Sequence, residues 1–386
     1  MSHLVQRMRP YERTVFGEMS ALATTLGAVN LGQGFPDTGG PRAVREAAER
    51  AIDEGHGGQY PPAHGYPDLR TAISEHQRRF YDLYVDPAKG VVVTTGASEA
   101  IASAVLALVE PDDEVMVLDP YFDLYAAVIA LAGAQRVAVP LTADALRPDL
   151  TAMRAAVTPR TTMLLLNTPH NPTGVVFTRS ELQDIATFAI DHDLLVIADE
   201  AYEHLWFDDN VHIPIASLPG MAERTLTVGS GGKTFSFTGW KVGWASGPAD
   251  LIGPVRVIRQ HLSYVSGGPF QEAMAVGLRL PDSYFDGFRA DLAGKRDRLC
   301  AGLEELGLRV IPPQGTYFAT TDVRPLGFAD GDEFCHRVPH EAGVVAIPLS
   351  ALSDHPEASA PYVRWAFCKR DEVLDEGLRR LRGWLG

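Results

Sequence analysis

Along this chain the spacing of apolar positions switches repeatedly between two and about 3.6, and the switching predicts alternating strands and helices. After a polar arm, FGEMSALATTLGAV (16–29) carries apolar residues at helical spacing, with Phe16 at its start. NLGQGFPDTGGP, Asn30 to Pro41, is a Gly- and Pro-rich loop, and AVREAAERAIDEG is an amphipathic helix closed by Gly55. A turn-rich segment with Tyr60, His64 and Tyr66 leads into a helix over Leu69 to Tyr81. GVVVTTGASEAIASAVLALVEP then gives a buried strand at Val91 to Val93, a Thr-Gly turn and a helix over Ala97 to Val109.

That unit recurs. DEVMVLDPYFDLYAAVIALAG is strand, turn and helix, with Tyr121 and Phe122 at the strand's end. TTMLLLNTPHNPTGVVF is a strand entering a loop at Asn167 to Gly174, LLVIADEAYEHLWF a strand ending in Asp199, and TLTVGS one ending at Ser230. Strands separated by helices of this length indicate an α/β fold, a mostly parallel sheet with helices on both faces. The last hundred or so residues change to short strands, LRVIPP, TYFATTDV and YVRWAFCK, with helices between them, which reads as a smaller α+β domain. The expected division is 1–35 as an N-terminal arm belonging to the small domain, 36–275 as the large domain and 276–386 as the small C-terminal domain.

A chain of 386 residues with 46% apolar content has room for two cores. Its net charge of -15 leaves no basic stripe for phosphate backbones, so a nucleic-acid partner is not expected. Cys300, Cys335 and Cys368 lack metal-ligand spacing, so no metal is expected and a reducing cytoplasm fits. The first residues carry no signal-peptide core, and no uncharged run of about 18 residues follows, so no membrane contact is expected.

The candidate chemistry centres on VGSGGKTFSFTGWKVGW, Val228 to Trp244, where Lys233 sits among small and hydroxylated neighbours. A P-loop needs glycine where Thr227 stands, and Phe235 to Trp240 reads as a turn into a strand instead of the helix a P-loop lysine opens. A plain surface loop stays open for this run taken alone. Lys233 can otherwise condense with a planar aldehyde. In a parallel sheet ligands sit outside the carboxyl ends of the strands, and Ala97, Phe122, Asn171, Asp199 and Lys233 all fall on that rim.

An aldehyde cofactor with a ring nitrogen and a phosphate uses each of them. Asp199 pairs with a protonated ring nitrogen, Tyr202 and Asn171 bond the phenolic oxygen, and Phe122 stacks on the ring. The amides of Ala97 and Ser98, with Ser230 and Lys241, hold the phosphate. Each has a plainer alternative: Asp199 as a helix cap, Asn171 as a turn residue, Phe122 as core, Tyr202 as an interface residue, and the turn at Ala97 as an ordinary connection.

NTPHNPTG with Asn171, ADEAY with Asp199 and Tyr202, SGGK with Ser230 and Lys233, GWKVGW with Lys241 and YVRWAF with Arg364 resemble the class I/II pyridoxal-phosphate aminotransferases of fold type I. The resemblance covers nearly the whole chain. It implies pyridoxal 5'-phosphate on Lys233, with Lys233, Asp199 and Tyr202 catalytic, and Arg364 and Asn171 at the substrate, Arg364 on its α-carboxylate. It also implies a homodimer in which Tyr60 reaches the neighbouring subunit's phosphate. NLGQGFPD, QYPP and FCKRDE look like the kynurenine/glutamine transaminase branch, and RPYERTVFGEMSALA with LSYVSGGPFQ looks closer to N-succinyldiaminopimelate aminotransferases of lysine biosynthesis. That likeness implies Phe16 and Gly32 in the substrate pocket and 2-oxoglutarate as acceptor. Lys241 stands where aspartate aminotransferases have arginine and Phe122 where they have tryptophan, and no second arginine for a dicarboxylate is evident. A β-eliminating C–S lyase would use the same cage. A regulator of this fold would carry a DNA-binding domain, and only about 30 residues precede NLGQGFPD.

Overall fold

The computed structural model describes residues 3–143 and 145–386, so the first two residues of the expected arm lie outside the described residues. Thirteen strands are described. In chain order they are β1 (Val29–Asn30), β2 (Val91–Thr94), β3 (Glu114–Asp119), β4 (Gln135–Pro140), β5 (Thr161–Asn167), β6 (Leu195–Asp199) and β7 (Thr225–Ser230). Then come β8 (Gly243–Ser246), β9 (Arg309–Ile311), β10 (Phe318–Asp322), β11 (Val344–Val345), β12 (Ile347–Pro348) and β13 (Tyr362–Ala366).

A seven-stranded sheet runs in the order β2-β8-β7-β6-β5-β3-β4, parallel from β7 through β4, with β8 antiparallel to both its neighbours. Its strands are apolar on both faces because helices cover both. Val115 and Val117 pack toward the helices Ala97–Leu108 and Leu124–Ala132. Met116 and Leu118, alternating with them, pack toward Arg179–Asp191 through Leu182, Ile185 and Phe188. Thr178 caps that last helix with a capping box to Glu181, which fixes where it starts.

A second sheet, β12-β13-β10-β9, is antiparallel and packs on the helices Asp282–Glu305 and Gly331–Glu341 through a core holding Trp365, Phe334, Leu299 and Leu303. β1 pairs in parallel with β11, Val29 with Val344, so the N-terminal strap lies against the C-terminal part of the chain. No helix among the described residues is long and apolar enough to cross a membrane.

Two local readings change. The run after Ser230 is a single helical turn, Gly231–Thr234, and then a 3-10 turn, Thr238–Trp240, before β8. Phe237 stacks on Trp240 at 3.9 Å and folds the aromatic run back on itself, which delays the strand to Gly243. Strand β4 and the helix Leu150–Ala156 have no counterpart in the sequence reading, because Gln135 to Ala138 are exposed or half-buried at the sheet edge and lack a clean period.

Candidate active site

Adjacent parallel strands β5, β6 and β7 end at Asn167, Asp199 and Ser230, and Asn167 is in register with Asp199. The chain leaving those ends closes a cavity of about 300 Å³. Phe16, Ala97, Ser98, Phe122, Asn171, Asp199, Tyr202, Ser230, Lys233, Lys241 and Arg364 all line it. The structure therefore brings these sequence-derived candidates to one place. Gly32 is not in the lining, but its carbonyl accepts from Arg364 Nη2 at 2.8 Å. Tyr60 is 78% exposed on the surface, against Tyr264, and does not reach this chain's own cavity.

Lys233 is held inside by the helical turn at the end of β7. Its Nζ donates to the Tyr317 hydroxyl at 2.7 Å and to the Gly34 carbonyl at 3.2 Å. Burial lowers the ammonium to about 8, so the amine is readily neutral. Asp199 is 6% exposed. Its Oδ2 accepts from the Tyr125 hydroxyl at 2.6 Å and its Oδ1 from the Ala201 amide at 3.1 Å. Burial still raises its pKa against those donors, so a cation in the cavity would find a carboxylate short of positive charge.

On the opposite side the strap Asn30 to Phe35 is tied to β13, where the Leu31 carbonyl accepts from the Ala366 amide at 2.6 Å, and Gln33, Gly34 and Phe35 line the cavity beside Arg364. Arg364, 1% exposed, donates through Nη1 to Asn171 Oδ1 at 2.9 Å, and its Cζ lies 4.0 Å above the Phe318 ring. Burial brings the guanidinium down to about 10, still charged at neutral pH. Among the described residues its Nε has no partner. A buried fork with donor capacity to spare suits a carboxylate. Asn171 is fixed in turn by Asn167, which accepts from the Asn171 amide at 2.7 Å and donates to the Asp199 carbonyl at 2.8 Å.

The third wall is an anion cradle. The helix Ala97–Leu108 starts at Gly96, which offers no side-chain cap and has φ 78°. A Cβ there would meet Lys241 Nζ at 3.2 Å, and one on Gly243 would meet the Ala97 nitrogen at 2.5 Å. Glycine at both places lets backbone amides and an ammonium converge on one spot, which suits a phosphate. A buried amine, a carboxylate lacking its cation and an open anion cradle together fit pyridoxal phosphate.

Three residues escaped the sequence reading. Tyr125 lies one helical turn beyond Phe122, a spacing that could have flagged it. Asn167 ends a strand as Asp199 does, which was also available. Tyr317 precedes β10 and meets Lys233 only through tertiary folding, with no local signal.

A profile of the aminotransferase class I and II family matches residues 27–381. The chain belongs to that family. It is an aminotransferase that uses pyridoxal phosphate and takes amino-acid and 2-oxo-acid substrates. A solved N-succinyldiaminopimelate aminotransferase from Mycobacterium tuberculosis is 52% identical, with a TM-score of 0.97, covering 99% of this chain and 100% of that one. Kynurenine–oxoglutarate transaminase 3 of Mus musculus is 37% identical over 98% of this aminotransferase and 90% of the relative. The Escherichia coli structure of YbdL, with a methionine aminotransferase function, is 35% identical with a TM-score of 0.94, covering 99% and 100%. Fold type I, expected from the resemblance to the class I/II aminotransferases, is the fold found.

Proposed function

We propose that this aminotransferase transfers the amino group of N-succinyl-L,L-diaminopimelate to 2-oxoglutarate in a ping-pong cycle, within lysine biosynthesis in the cytoplasm. The supporting observation is the 52% identity to the Mycobacterium tuberculosis enzyme across the full chain.

In this reading Lys233 holds the cofactor, Asp199 faces its ring nitrogen, Phe122 stacks on the ring, and Asn171 and Tyr202 bond its phenolic oxygen. Ala97, Ser98, Ser230 and Lys241 hold the phosphate. Bound pyridoxal phosphate supplies an aldehyde that condenses with amines and a ring that accepts the electron pair of a broken C–H bond. Arg364 receives the donor's α-carboxylate, with Phe16 and Gly32 bounding that end. Lys233 Nζ, once free, takes the proton from the donor's Cα and later returns it, while Asp199 stays ionised to stabilise positive charge on the ring nitrogen. The buried Tyr125 hydroxyl favours that ionised form.

The exposed ring of Tyr60 supports a homodimer in which it reaches the neighbouring subunit's phosphate. A large domain at 36–275 and a small one at 276–386, joined by the arm 1–35, accord with the pairing of Val29 and Val344.

The test is a donor panel in single half-reactions without acceptor. N-succinyl-L,L-diaminopimelate should give the highest kcat/KM and a stoichiometric 2-oxo acid. Preference for kynurenine or glutamine would move the enzyme to the branch of the Mus musculus relative. Pyruvate and ammonia from a cysteine conjugate, with no acceptor present, would instead identify a β-lyase.

A further inference from the structure

A neutral primary amine has two N–H bonds and one lone pair, and catalysis by Lys233 depends on where the lone pair points. The Tyr317 hydroxyl lies 2.7 Å from the Gly34 carbonyl, which can only accept, so this contact is made by the hydroxyl proton. The hydroxyl oxygen is therefore an acceptor toward Lys233 Nζ, 2.7 Å away. The same Gly34 carbonyl accepts a second bond from Nζ at 3.2 Å. Both N–H bonds of the neutral amine are then engaged, and the lone pair has one direction left.

Burial alone does not require this. Tyr317 is fully buried, and a buried tyrosine hydroxyl needs one partner, which Gly34 already provides. The bond to Lys233 is additional. Glycine at position 34 is what lets the strap carbonyl come this close, because a Cβ there would meet Phe318 Cζ at 2.3 Å and Tyr317 Cε2 at 2.9 Å.

We propose that Tyr317 is a positioning residue for proton transfer: with the Gly34 carbonyl it occupies two hydrogens of the free Lys233 amine and reserves the lone pair for the substrate proton. The inference rests on the role proposed above for Lys233. In the step itself the Cα–H bond breaks and an Nζ–H bond forms. The electron pair stays with the substrate carbon, for the ring to accept, and the new ammonium keeps its bonds to Tyr317 and Gly34.

An acceptor at this distance favours the ammonium, so Tyr317 opposes part of the burial that lowers Lys233. The other groups acting on Nζ are Cys368 and Asp199, which raise it, and Arg364 and Lys241, which lower it, with the Tyr202 ring 5.6 Å away. Removing the Tyr317 hydroxyl leaves these groups in place, apart from its own bond to the Tyr202 hydroxyl.

Tyr317→Phe deletes one oxygen and keeps the ring packed against Tyr202 and Phe318. The holoenzyme, wild type and variant, is first converted to its amine-bearing form with donor, which frees Lys233. Acetylation of Lys233 by acetic anhydride is then followed against pH by peptide mass spectrometry. The proposal expects a labelling midpoint at lower pH in the variant, and a donor half-reaction at least about tenfold slower with donor KM nearly unchanged. An unshifted midpoint overturns it, whether the rate is preserved or falls through loss of bound cofactor. Wild-type enzyme that reacts with no donor at all would instead overturn the role given to Lys233.

Discussion

The Tyr125 hydroxyl donates to Asp199 Oδ2 at 2.6 Å, with both side chains closed off from solvent. Tyr125 sits in the first turn of the helix Leu124–Ala132, three residues after Phe122, and Asp199 ends β6, so one short stretch supplies both the ring-stacking candidate and the group that holds the carboxylate. Tyr125→Phe should raise the pKa of Asp199, which burial already pushes up. One such bond to a charged group contributes about 1.5–3 kcal/mol, so the donor half-reaction should slow by about tenfold to a hundredfold. Asp199→Ala should cost orders of magnitude more. Stopped-flow absorbance on both variants checks the ranking, and near-normal activity of Asp199→Ala would remove that residue from the mechanism.

Arg364 predicts a different kinetic signature. It touches Asn171 and Gly32 with one nitrogen each, and its Nε has no partner among the described residues, so its fork is already built before substrate arrives. Arg364→Lys cannot serve those contacts and a carboxylate together, and kcat/KM should fall about a hundredfold, a loss of about 3 kcal/mol. The loss should appear for every donor carrying an α-carboxylate. Equal kcat/KM in wild type and variant would detach Arg364 from substrate binding.

The order of elements was legible because buried strands such as Val91–Thr94 and Leu195–Asp199 are short apolar runs bounded by helix signals. The rim was legible for the same reason, since a strand's last residue marks its carboxyl end. Edge strand β4 was not, because Gln135 and its neighbours alternate poorly and lie half in solvent. Nor was the single helical turn holding Lys233, since four residues carry no periodicity. Tyr317 and Gly34, 283 positions apart, meet only through the folded strap, and no window of sequence contains both.

The pH profile should report Lys233. Its amine is lowered to about 8 by burial and must be neutral to accept a proton. The rate of the donor half-reaction should therefore rise about tenfold per pH unit below that value and level off above it. A rate independent of pH from 6 to 8, measured by stopped flow, would contradict this.

Acid should destabilise the fold through its buried histidines. His76 Nδ1 lies 3.3 Å from the Leu278 carbonyl and must donate to it, so neutral His76 accepts at Nε2 from His204 Nε2, 2.8 Å away. Burial lowers His76 from 6.5 to about 4 and His170 to about 3, and holds His204 well below its ordinary value. Below pH 6.5 the unfolded chain binds protons these rings refuse, so their stabilisation is complete above that pH and declines as pH falls toward 4. Glu203 acts oppositely, since burial raises its carboxyl to about 8 and the folded state keeps a proton that the unfolded state releases. Burial raises Asp119, Asp123 and Asp199 in the same sense as Glu203, so the histidine contribution is read by difference. Denaturant titrations at pH 7 and pH 5 should show a smaller loss of stability on acidification in His170→Gln than in wild type, and an equal loss in both would contradict the neutral assignment of His170.

The most direct measurement is the visible absorbance of the purified enzyme on addition of N-succinyl-L,L-diaminopimelate with no acceptor present. The account predicts that the bound-cofactor band disappears with one 2-oxo acid formed per active site, and that 2-oxoglutarate restores the band while yielding glutamate. A band that persists with this donor but disappears with kynurenine or glutamine would contradict the proposed substrate. A protein with no such band would contradict the assignment of Lys233.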